Sequence, residues 1–162
     1  MKTMLVPVDF SDVTPLVVRV AGDWACGTGH RVHLLHVLVE ETELVGYESG
    51  MQLLPRIAMP DSPQDLQAMQ ACKDELAQRG LEVTTRIVQG LPALEILDEA
   101  VAVQADAIVM GSHRHGMLHH LFLGSVSLGV LKRATCPVLF VPAIRGEEVA
   151  AGAVVSDTLT TH

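Results

Sequence analysis

Apolar positions along the chain follow two rhythms that take turns. Met4–Val8 is a short continuous apolar run, as expected of a strand buried on both faces. Thr14-Pro15 then reads as an N-cap with proline at the first helical position. Leu16, Val20 and Trp24 follow at helical spacing with Val17, Ala21 and Ala25 beside them, and Gly27 or Gly29 can end that helix. Val32–Val39 is a second strand run. Ser62-Pro63 opens a second helix with Leu66, Met69 and Leu76 inward and Gly80 as its stop. In Leu81–Gln89 the apolar Leu81, Val83 and Ile87 alternate with Glu82, Thr84 and Arg86, so one face is wet and the strand belongs at a sheet edge. Gly90-Leu91-Pro92 turns into a helix carrying Ile96, Leu97, Ala100 and Val101. Ala107–Met110 is again fully apolar, a helix spans Ser125 to Ala134, and Pro137–Val141 is the last strand. Its flanking Pro137 and Pro142 suit an edge.

Strands alternating with helices in this way predict an α/β protein with a five-stranded parallel sheet, right-handed crossovers and helices on both faces. The fully apolar first and fourth strands belong in the middle, which gives the order 3-2-1-4-5. That order reverses between strands one and four, and open sheets bind ligands beyond the carboxyl ends of the strands at such a point. Pro7-Val8-Asp9 and Met110-Gly111 lie there. Glu40–Pro60 fits no element and reads as a long surface connection with apolar anchors, or a lid. Residues 1–143 read as one domain and 144–162 as a flexible polar tail.

Composition narrows the picture. With 162 residues, 49% hydrophobic and 19% charged, the chain is a folded single domain. A formal charge of −8 speaks against binding nucleic acid or an anionic membrane. No apolar run approaches the ~20 residues of a membrane span. Cys26, Cys72 and Cys136 have no ligand spacing, so reduced thiols in a cytoplasmic protein are expected.

The candidate chemistry lies after the fourth strand. Gly111 opens a glycine-bearing loop, and Gly124-Ser125 starts the next helix. A helix amino end offers free N–H groups and a positive dipole end to an anion, and the Ser125 and Ser127 hydroxyls can add donors. A simple loop and cap would look the same. The segment is not a Walker loop, because no Lys-Ser/Thr pair follows the glycines, nor is it the dinucleotide fingerprint, which opens the first helix of its unit. His113-Arg114-His115-Gly116 superficially resembles the histidine motif of nucleotidyl transferases, but those carry it after strand one. His113, His115, His119 and His120 cluster, with His115 and His119 at i, i+4, yet no cysteine or carboxylate joins them and no metal site is assigned. His33 and His36 read as satisfied core histidines, Asp9-Phe10-Ser11-Asp12 can cap the first helix, and Trp24 sits at core spacing.

Six segments in order resemble the universal stress protein family: Val6-Pro7-Val8-Asp9-Phe10-Ser11, Leu35-His36-Val37, Gly90-Leu91-Pro92, Val109-Met110-Gly111-Ser112-His113, Leu123-Gly124-Ser125-Val126 and Cys136-Pro137-Val138-Leu139. The family's nucleotide-binding branch has the pattern G-x2-G-x9-G-[ST]. Gly111 and Gly124-Ser125 match its ends, whereas Arg114 stands at the middle glycine and Gly116 comes two residues late. The resemblance implies the adenine nucleotide alpha-hydrolase-like fold and ATP or another adenine nucleotide as ligand, with Mg²⁺ as a candidate companion. It assigns Asp9 to the ribose, the backbone of Val37 to the base edge, and Pro7 and Val8 to the base wall. Met110, Gly111, Gly124, Ser125, Val126 and Ser127 would surround ribose and phosphates. It also implies a homodimer through the last strand, Val138–Val141. Arg114 either blocks the β/γ-phosphate position or clamps phosphate oxygens.

Two functions follow from this reading. One is a nucleotide-binding homodimeric switch in stress response. The other is a homodimeric interaction module whose pocket no longer binds nucleotide. A slow ATPase ranks behind both: Asp9, Arg114 and His113 can be nominated, but no dedicated catalytic acid or base emerges.

Overall fold

The computed structural model describes residues 2–39, 42–47, 50–55, 62–112 and 124–143. The elements are β1 (Lys2–Pro7), α1 (Thr14–Thr28), β2 (His30–Leu38), β3 (Thr42–Tyr47), β4 (Gly50–Pro55), α2 (Pro63–Gln78), β5 (Val83–Gln89), α3 (Pro92–Ala102), β6 (Ala107–Ser112), α4 (Ser125–Arg133) and β7 (Val138–Pro142). β5-β2-β1-β6-β7 form one five-stranded sheet in which every neighbouring pair is parallel. This is the 3-2-1-4-5 order expected from burial of the first and fourth apolar runs.

The segment read as a loop holds a further element. β3 and β4 pair antiparallel in a sheet of their own, with Tyr47 opposite Gly50 and Leu44 opposite Leu53. Tyr47 and Gly50 are separated in sequence by Glu48-Ser49, which is not one of the Asn-Gly or Asp-Gly pairs that announce a two-residue hairpin, so only the apolar Leu44-Val45 and Leu53-Leu54 hinted at strands.

Side-chain alternation splits the core between the two sheet faces. Met4, Val6, Val32, Leu34, Val109 and Val141 pack under α1 and α2, against Val17, Val18, Ala21, Ala25, Met69 and Leu76. Leu5, Leu35, Ile108 and Met110 pack under α3 and α4, against Ile96, Ala100 and Val130. Each valine, leucine, isoleucine or methionine among them contributes roughly 1.5–3 kcal/mol when fully buried.

Helix faces are rotated a little from the sequence reading. On α1 the buried stripe is centred on Val17, Val18, Ala21 and Ala25, and Trp24 is 40% exposed at its edge. Leu66 and Val101 also face outward on α2 and α3, while Met69, Leu76, Ile96 and Ala100 face inward. Thr14 is the first residue of α1 and not its cap: Val13 holds the N-cap position with no side-chain cap bond. Gly29 ends α1 in the left-handed region at φ 68, which a residue lacking Cβ adopts without strain.

The α3–α4 contact sets where α4 begins. A Cβ placed on Gly129 would lie 3.0 Å from the Ala93 side chain, so these two small residues let the helices pack closely. α4 thereby starts beside the carboxyl end of the sheet, with Gly124 as its N-cap.

Candidate functional site

A cavity of about 390 Å³ opens at the carboxyl ends of β1 and β6, at the switch point. Small-molecule sites run from ~300 to ~1,000 Å³. Pro7, Val8, Asp9, Val37, Met110, Gly111, Gly124, Ser125, Val126 and Ser127 all line it. The structure therefore gathers every site residue nominated from sequence except Arg114, which lies outside the described residues, as does the histidine cluster 113–120.

Other lining residues escaped the sequence reading. Val13, Thr14 and Val17 come from the start of α1, Leu35 and Val39 flank Val37, and Pro92 and Ile96 come from α3. They make the walls predominantly apolar, and their only sequence signature is the ordinary spacing of core helix residues.

At one end of the cavity stands the amino end of α4. Its first internal bond runs from the Leu128 N–H to the Gly124 carbonyl at 2.9 Å. The amides of Ser125, Val126 and Ser127 thus have no partner inside the helix. Among the described residues no side chain caps the helix, no acidic residue occupies its first turn, and Lys132 and Arg133 sit in the last turn. The positive end of the helix dipole faces the crevice without a protein counter-charge on α4. A Cβ on Gly124 would meet nothing within 4 Å among the described residues, which leaves that backbone approachable from the cavity.

Asp9 sits in the turn between β1 and α1. Its Oδ1 accepts from the Ser11 amide at 3.1 Å, the Ser11 hydroxyl at 2.6 Å and the Thr14 hydroxyl at 3.2 Å. The carboxylate is thereby oriented by the loop that starts α1. Phe10, next along, has φ 57. Its ring lies 4.3 Å from the ring of His36, whose Nδ1 donates to the Val8 carbonyl at 2.8 Å.

Gly111 is small for a packing reason. It has no positive φ, but a Cβ there would lie 2.8 Å from Val13 Cγ1 and 3.4 Å from Val17 Cγ2. The glycine lets α1 close against β6, and both valines line the cavity.

On the α3 side of the sheet His33 is the satisfied core histidine expected from sequence, but its partner Glu99 and the Arg86 beside it escaped that reading. Glu99 of α3 is buried and accepts from His33 Nε2 at 2.8 Å and from the Arg86 guanidinium at 2.7 Å. His33 Nδ1 meets the Thr84 hydroxyl at 2.7 Å. Arg86 and Thr84 are polar positions of the alternating edge strand β5, so its wet face is where α3 finds partners for a buried carboxylate. Glu99 lies one turn from Ile96, and the group ties α3 to β2 behind the cavity.

A doubly wound α/β sheet with an apolar crevice at its switch point and an uncapped helix amino end inside it defines a small-ligand-binding domain of the anion-accepting kind. The model of the universal stress protein family matches residues 1–142, and the chain belongs to that family. A universal stress protein of Methanocaldococcus jannaschii is 31% identical over 142 residues, covering 86% of this chain and 81% of that protein. Among solved structures, the M. jannaschii protein MJ0577 superposes with a TM-score of 0.66 at 27% identity, covering 89% of this chain and 97% of that one. An Archaeoglobus fulgidus universal stress protein in complex with dAMP shares the fold, with a TM-score of 0.63 at 24% identity over 86% of this chain and 97% of that one. No helix among the described residues is long and apolar enough to cross a membrane.

Proposed function

We propose that the crevice binds an adenine nucleotide, with the phosphates at the amino end of α4 and the base between the β1 and β2 ends. The observation that carries this reading is the uncapped α4 amino end opening into an apolar cavity of nucleoside size. The A. fulgidus protein, which shares this fold, is in complex with dAMP, and that supports the ligand class.

The far end of the cavity suits a base edge. Leu35 offers its carbonyl to the Val8 amide on the β1 side, while Leu38 offers its carbonyl to the Gly90 amide on the β5 side. Backbone groups alternate sides along a strand, so those of Val37 point the same way as those of Leu35. The β1–β2 register ends at Pro7 opposite Leu35. The Val37 N–H and C=O therefore emerge past the end of β1, one donor beside one acceptor. Adenine presents the complementary pair at N1 and N6, and guanine presents the reverse. Asp9, held by Ser11 and Thr14, is the candidate ribose partner, and Mg²⁺ would enter with the phosphates.

Calorimetric titration of ATP and GTP into the wild type and Gly124→Val tests this reading. Gly124 has φ −59, open to any residue, and no described residue within 4 Å of a Cβ placed there. Valine there fills the anion approach at a stability cost of about 1 kcal/mol or less. ATP should bind the wild type at least tenfold more tightly than GTP, and Gly124→Val should lose binding while staying folded. Equal binding to both proteins would refute the placement.

A homodimer through β7 is the proposed assembly. Among the described residues β7 pairs on one side only, with β6. The Ile108 amide reaches the Pro137 carbonyl and the Ala143 amide reaches the Ser112 carbonyl, so odd-numbered β7 residues face β6. The backbone groups of Val138 and Phe140 then face outward along a free edge, which a second copy can pair. Nucleotide-dependent switching would require different affinities for two states of that dimer. The three free thiols fit a cytoplasmic location, which is proposed on that ground.

A further inference from the structure

We infer that His36 is a positioning residue that keeps the Val37 amide available to the base. The inference rests on the proposed nucleotide site. His36 lines no part of the cavity; it acts through the backbone of its neighbours.

In a parallel ladder each residue that faces its neighbour donates its N–H to one partner carbonyl and accepts from the amide two residues further on. Leu35 makes the last accepting contact, with the Val8 amide at 2.8 Å. The next rung would run from the Val37 amide to the Val8 carbonyl. That carbonyl is held by His36 Nδ1 at 2.8 Å. A ring nitrogen facing a carbonyl oxygen must carry the proton, so the tautomer is fixed at Nδ1–H. The imidazole sits on the opposite face of β2 from Val37 and caps β1 from beneath.

His36 is buried, and Phe10 covers its ring at 4.3 Å with the two planes inclined by 32°. Phe10 is one of two non-glycine residues with positive φ among those described. A left-handed residue breaks the extended course of β1 immediately after Asp9. The side chain that takes the Val8 carbonyl therefore also supports the bend that stops β1 from continuing. Without the Nδ1–H donor, the buried Val8 carbonyl would seek the nearest amide, since an unpaired buried acceptor is costly. By the register of the ladder the next amide in line is that of Val37, and the rung would close over the base-reading edge.

The test compares ATP with 1-deaza-ATP, which lacks the N1 acceptor, on the wild type, His36→Phe and His36→Asn. Phenylalanine keeps the ring against Phe10 and removes the donor. Asparagine places an amide nitrogen where Nδ1 stands. The wild type should prefer ATP by about 3- to 10-fold, the worth of one net hydrogen bond. In His36→Phe the preference should fall to about one, with 1-deaza-ATP affinity held within about twofold, and His36→Asn should restore it. Equal losses for both ligands would show a merely structural role and overturn the inference while leaving the nucleotide site standing. Failure of the wild type to bind either ligand would overturn both. A readout without ligand or variant is amide exchange in the free wild type. Val37 should exchange much faster than Leu35, and a protected Val37 amide would contradict the inference.

Discussion

Replacing Gly111 with alanine tests the claim that this glycine exists for packing of α1 on β6. The new Cβ would stand 2.8 Å from Val13 Cγ1 and 3.4 Å from Val17 Cγ2, against ordinary carbon contacts of about 3.5–4.0 Å. Valine is stiff at χ1, and Val13 and Val17 are both buried. Relief requires an off-rotamer valine, at about 0.5–1.5 kcal/mol, or a shift of α1. Overpacking of this size destabilises by roughly 1–3 kcal/mol, or a midpoint drop of about 2–4 °C per kcal/mol for a chain of this length. Val13→Ala alone removes two buried methyls, at about 0.8 kcal/mol each. Combined with Gly111→Ala it also removes the clash, so the double variant should be more stable than the sum of the singles by at least about 1 kcal/mol. Urea unfolding followed by circular dichroism measures all four corners of the cycle. Additivity within ~0.5 kcal/mol would refute the packing argument, because contacting sites must couple.

Glu99→Ala should cost about 2–4 kcal/mol in urea unfolding, since it leaves His33 without its carboxylate partner inside the fold. Arg86→Ala should cost less, because the Arg86 side chain is 54% exposed and water already serves much of it. Equal costs would contradict this account of the group. Alkylation by iodoacetamide at pH 8, mapped by mass spectrometry, should label exposed Cys26 first. Burial, then the nearby Glu75, raises the Cys72 thiol above its ordinary value, and burial, then Asp106, raises that of Cys136. A raised pKa means less thiolate at a given pH, so both should react later and gain rate as pH rises; early labelling of Cys72 would contradict the placement.

Much of the architecture was legible in the chain. The contrast between apolar runs at β1 and β6 and the two-residue rhythm of β5 fixed the centre and edge of the sheet, and the order then located the crevice without any motif. The helix faces were less legible. Leu66, Trp24 and Val101 have core spacing but lie at the margins of their stripes, where a small rotation decides exposure. The β3–β4 hairpin was hidden because Glu48-Ser49 is no hairpin signal in sequence and a long connection invites a loop reading. Glu99 carries no local sign of burial, since its partners sit on β2 and β5 and meet it only in three dimensions. The same holds for Val13, Val17 and Ile96 as cavity walls, whereas the Gly-Ser start of α4 announces itself locally.

Thermal unfolding of the full chain with and without ATP tests the central claim most directly. At about 100 times its Kd, a ligand of the native state adds roughly 2.7 kcal/mol, or about 5–11 °C at this chain length. The account predicts a saturable rise with ATP, a smaller one with GTP, and none with ATP in Gly124→Val. No rise with ATP, ADP or AMP at millimolar concentration, with or without Mg²⁺, would contradict it.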